Sequence, residues 1–83
     1  MNDFTKKQQM DLEYFKANLP AFLDNNLLKH KYIVIHDQKI QRSFDTIESA
    51  VVYAIENFQR GEYIIQQVVN ENEVINFVRA AII

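Results

Sequence analysis

Between Lys31 and Val69 the apolar residues shift from a period of two to a period near three and a half and back to two, with punctuation at each change. That order reads as hairpin, helix, strand. Upstream, Leu12, Phe15, Leu19, Phe22, Leu23 and Leu27 recur mostly at steps of three and four, which marks one face of a helix. Pro20 falls inside this stripe. It lacks an amide donor and disfavours helical geometry at Leu19, so either a kink or a break into a second short helix is expected there. Lys29, His30 and Lys31 are expected to close the helix, where cations suit the carbonyl end of its dipole.

Tyr32 to His36 is a β-branched run of strand length, and Lys39 to Phe44 follows after Asp37-Gln38, the spacing of a two-residue hairpin. Alternation puts Ile33 and Ile35 toward the core and Tyr32, Val34 and His36 on the other side. Unbroken pleating would set Arg42 between Ile40 and Phe44 on one face, so a bulge or an exposed edge is expected. A tight turn favours glycine where Gln38 stands, which leaves a longer loop or a strained Gln38. Asp45 with Glu48 reads as a capping box opening a helix. Ile47, Ala50, Val51, Ala54, Ile55 and Phe58 form its apolar stripe, with the alanines allowing close approach to a sheet. Gly61, the only glycine, falls just past this helix as a left-handed terminator. Tyr63 to Val69 is the third strand. Residues 74–82 fit a helix or a strand, and the short turn at Asn70-Glu71-Asn72 with the valine and isoleucine density favours a strand. The expected fold is therefore α+β, in the order α-β-β-α-β-β, with a small, mainly antiparallel sheet and amphipathic helices packed against it.

Composition narrows the classes of function. Eighty-three residues, 48% hydrophobic and with six phenylalanines and four tyrosines, make a single domain over 1–83 that buries about 60% of its unfolded surface. Without cysteine there is no disulfide framework, thiolate metal site or cysteine nucleophile. A net charge of −2 with interspersed signs gives no basic field for phosphate backbones. The first fifteen residues contain no uninterrupted apolar run, so neither a signal peptide nor a membrane span is expected, and a cytoplasmic location follows.

No constellation of catalytic, metal or cofactor residues emerges. His30, His36 and Asp37 invite a metal reading, but six positions along a strand separate side chains by roughly 20 Å. The acidic pairs Asp11 with Glu13 and Glu71 with Glu73 read as solvated surface, and Ser43, Thr46 and Ser49 lack a histidine at a nucleophile spacing. Lys39, Arg42 and Arg79, with Tyr32 and Tyr63, suggest a sheet face for single-stranded nucleic acid. The apolar surplus is a stronger signal. Tyr63-Ile64-Ile65, Val68-Val69, Val74-Ile75, Phe77-Val78 and residues 80–83 put hydrophobes on both faces of a sheet. Either the two helices lie on opposite faces, or another chain covers the second face. Tyr63, Ile65, Phe77, Arg79 and Ile82 are the candidate contacts for a protein partner or a second copy.

The segments KYIVIHDQKI, FDTIESAVVYAIENF, GEYIIQQV and FVRAAI together resemble a group of small bacterial domains. That group pairs a K-Y-V-V-I strand and an Asp-Gly turn with F-D-T before an alanine-rich helix and a G-x-(F/Y)-L-I-Q-x-V strand. The likeness covers about three quarters of the chain, and Gln38 departs from its glycine. It implies an α+β fold and, because such domains are often encoded beside a small retroviral-type aspartic protease, an accessory role of bacterial or phage origin. It implies no catalytic residues.

Overall fold

The computed structural model describes residues 4–70. Helix α1 spans Lys6–Leu23, strands β1 and β2 span Tyr32–His36 and Lys39–Phe44, helix α2 spans Ile47–Asn57, and strand β3 spans Ile64–Gln67. The α+β arrangement and its element order follow the sequence expectation. The expected strand over 74–82 lies outside the described residues.

The sheet has the order β2-β1-β3, with β1 antiparallel to both neighbours. Directly opposed residues share a face. Ile33 therefore sits with Ser43 and Gln66, and Ile35 with Ile40 and Ile64; Tyr32, Val34 and Ile65 share the opposite face with Arg42 and Phe44. The register slips between Val34 and Ile35, where Gln41 is the extra residue. This bulge resolves the conflict seen in the sequence, because it turns Ile40 to one face and Arg42 with Phe44 to the other.

Helix α2 covers the face of Val34 and Ile65. Its buried residues are Ala50 and Ala54, and its aromatics reach the sheet, with Tyr53 5.4 Å from Phe44 and Phe58 6.4 Å from Tyr63, centre to centre. Helix α1 packs on β1 and β3 and brings Leu12, Phe15, Leu19 and Phe22 to the Ile33, Ile35 and Ile64 side, where the three isoleucines have no exposed surface. Burying each is worth about 1.5–3 kcal/mol. The hydrophobes on both sides of β1 and β3 are thus accounted for by one helix on each face.

Local signals in the sequence fared differently. Helix α1 starts with a capping box, in which Thr5 accepts from Gln8 N–H and the Gln8 side chain accepts from Thr5 N–H. It then runs unbroken through Pro20. The proline ring is on the exposed side and removes only the bond to the Lys16 carbonyl in the last turn, a loss offset by burial of the stripe on either side. The helix ends at Leu23 rather than at Lys29 to Lys31, and Leu27, expected on the stripe, is 79% exposed. The N-cap of α2 is Thr46, which accepts from Ser49 N–H. The expected capping box at Asp45 and Glu48 is overturned: the cap falls one residue later, and Asp45 instead pairs with Lys31.

The hairpin turn is tight despite the missing glycine. Asp37 and Gln38 have φ of 52° and 57°, the paired positive values of a type I′ turn. Gly61, at φ 87°, sits in a turn closed by Glu62 N–H to the Gln59 carbonyl, where positive φ is required.

Candidate functional site

Two regions gather polar or unpartnered side chains. The first is at the turn end of the hairpin. Asp11 of α1 is 1% exposed, and its Oδ1 accepts from Gln38 N–H at 2.8 Å. This explains how Gln38 is held in the left-handed region, where most side chains cost about 1–2 kcal/mol. Asp11 Oδ2 is buried without a hydrogen-bond partner. Burial pushes the Asp11 carboxyl above its usual 3.8; the Gln38 bond and the nearby His36 and Lys7 pull the other way, and Asp37 adds to the rise. The solvated surface expected for Asp11 is thereby corrected, since position 11 falls on the buried stripe of α1, one turn before Phe15.

His36 ties this region to the next. Its ring stacks on Phe58 at 4.4 Å, Nδ1 lies 2.6 Å from the Glu62 carbonyl oxygen, and Nε2 lies 3.3 Å from Asp37 Oδ2. Lys7 stands 4.0 Å from both Asp37 and Glu62, separations typical of weak surface pairs. Gln8 donates to the Tyr63 carbonyl. The Asp11, Lys7, Gln8 and Glu62 contacts join α1, the hairpin turn and the approach to β3, and the His36 stack on Phe58 adds the end of α2, so the cluster clasps the fold together. His30, at φ 69°, is engaged through its backbone at the other end of β1, donating to the Val68 carbonyl. The two histidines are not brought together, and among the described residues no three histidine or acidic side chains are placed to hold a metal ion.

The second region is the outer side of α2 and its border with β2. Val52 and Ile55 are 54% and 59% exposed. Ile55 was expected on the inner stripe, but Ala50 and Ala54 face the sheet and turn Ile55 outward. Beside Val52 a shallow groove is lined by Phe44, Tyr53, Glu48, Ser49 and Glu56. The Arg42 guanidinium lies over the Phe44 and Tyr53 rings at 5.6 and 5.9 Å, a cation–π arrangement. Strand β2 is the edge of the sheet on this side, and its bulge and its exposed Lys39 and Arg42 blunt strand addition.

The residues singled out in the sequence fall as follows. Tyr63 and Ile65 are core, at 3% and 2% exposed, because their face of β3 lies beneath α2; their side chains offer no contact surface. Phe77, Arg79 and Ile82 lie outside the described residues. Of the residues expected to form a nucleic-acid face, Tyr63 is buried, Arg42 lies over two rings, Lys39 is exposed, and Arg79 lies outside the described residues. Burial also lifts the Tyr63 phenol above its usual 10.0, against the pull of Arg60. Among the described residues no helix is long and apolar enough to cross a membrane. Compared with known proteins, the chain matches no family model, no curated protein and no solved structure.

Proposed function

We propose that this chain is a non-enzymatic interaction module, a small cytoplasmic accessory protein of bacterial or phage origin that binds a protein partner or a second copy of itself. The observation that carries the reading is the contrast in how side chains are used. The polar groups at the hairpin end are engaged in holding secondary structure elements together, whereas Val52 and Ile55 are large aliphatic residues spent on solvent. Isolated exposed aliphatics are ordinary. Here two stand one turn apart on a helix, and Val52 borders an aromatic groove. The likeness of the sequence to small bacterial domains supports the accessory role and the bacterial or phage setting. Phe77, Arg79 and Ile82 remain part of the proposal as a C-terminal contact region.

Sedimentation velocity on the full chain, repeated after truncation of residues 79–83 and combined with affinity capture from the native host, tests the module reading. Self-association or a reproducible partner is expected. A monomer that captures nothing and is unaffected in stability by the truncation defeats it.

A further inference from the structure

The outer stripe of α2 has a charge pattern as well as an apolar one. Glu48, Val52 and Glu56 follow one another at four-residue steps, and Ile55 lies beside Val52. On a helix this places two carboxylates about 12 Å apart along the axis with an apolar pair between them. The groove alongside is floored by Phe44 and Tyr53 and rimmed by the same two glutamates. Arg42 beside it is laid over those two rings. The wall is thus apolar in the middle, acidic at both ends and faced with aromatic rings that already accept a guanidinium.

We infer that this surface is a docking site for a basic amphipathic helix of a partner protein, one that sets two apolar anchors on Val52 and Ile55 and a lysine or arginine opposite each of Glu48 and Glu56. Charge complementarity selects this occupant. A second copy of the chain, docked α2 to α2, brings the same glutamate-rimmed stripe to the interface from both sides and sets acid near acid, whereas a cationic helix neutralises both ends. Helix-in-groove recognition of this kind reads its ligand through anchors at one-turn spacing. The inference rests on the interaction-module reading and specifies its surface and the chemistry of its partner.

The test uses a synthetic amphipathic peptide of about 15 residues, the length at which isolated helices become viable, with two leucines three positions apart and a lysine one turn outside each. Backbone amide shifts of the full chain are followed by NMR as the peptide is added at low salt. Shifts confined to residues 44–56 are expected, weakening at high salt. E48K/E56K should weaken binding about tenfold, the size of two exposed ion pairs, and should gain affinity for the same peptide with glutamates in place of its lysines. V52S/I55S, with an unchanged fold by its spectrum, should lose binding of the lysine peptide. The inference is overturned by absent shifts, by shifts at other elements, or by equal shifts from lysine and glutamate peptides. It is also overturned if the same amides shift with protein concentration alone and V52S/I55S abolishes that, which makes the occupant a second copy. Any of these failures leaves the module reading standing wherever the full chain still sediments as an oligomer or captures a partner.

Discussion

The two helices lie against the same sheet and spend their apolar residues in opposite ways. Helix α1 turns Leu12, Phe15, Leu19 and Phe22 inward and is almost entirely polar outside, where Met10 is its exposed large hydrophobe. Helix α2 buries two alanines and leaves Val52 and Ile55 in water. A helix that only had to cover a sheet would gain by the first arrangement, since each buried aliphatic adds about 1.5–3 kcal/mol. The second forgoes that gain and leaves two exposed aliphatics one turn apart on α2.

That difference breaks most visibly under truncation of side chains. Phe15→Ala removes a ring that is 2% exposed and should cost about 3–5 kcal/mol, read as a lower urea midpoint. Next in size is Gly61→Ala, which puts a Cβ at φ 87° and 3.0 Å from the Thr5 methyl. A loss of roughly 1–2 kcal/mol is expected, with chemical shifts moving at the start of α1 as well as at the turn. Thr5→Ala removes the N-cap of α1 and should cost about 1 kcal/mol by the same denaturation assay.

The acid buried on the inner side of α1 gives a pH signature. Asp11 has a folded pKa above its unfolded value of 3.8, so the folded chain holds its proton more tightly than the unfolded chain. Between the two values folding takes up a proton, and the Asp11 contribution to stability declines as pH rises through that window. Asp11→Asn keeps an acceptor for Gln38 N–H and has no proton to exchange. Denaturant midpoints measured across mildly acidic pH should therefore lose this component of their slope in the variant. An identical slope in both proteins contradicts the assignment.

Much of the fold could be read from the chain because its strongest signals are periodic. The hairpin, α2 and β3 stand where alternation and helical spacing put them, and the bulge at Gln41 was foreshadowed by an arginine caught between Ile40 and Phe44. Signals that depend on one residue were less secure. Asp45-x-x-Glu48 looks like a helix start, yet Thr46 is the cap and Asp45 is drawn away by its ion pair with Lys31. Pro20 looks like a break until its position in the final turn of a well-buried helix is known. Asp11 was illegible for a different reason: its partner, the Gln38 amide, lies 27 positions away, and no local spacing encodes that. The α2 surface was not legible: the apolar surplus was read at residues 63–83 and Ile55 was placed on the inner stripe, whereas the orientation fixed by Ala50 and Ala54 turns Ile55 to water. Tyr63 and Ile65 drew attention for the same excess and turned out to be the core that α2 covers.

The central claim is that Val52 and Ile55 serve binding rather than folding, and urea denaturation of V52S/I55S beside the unaltered chain tests it most directly. Surface positions of this kind change stability by no more than about 0.5 kcal/mol each, so the account predicts nearly coincident unfolding curves with the same slope. A destabilisation of about 2 kcal/mol or more would show that the pair is packed within the folded chain, and would contradict the claim.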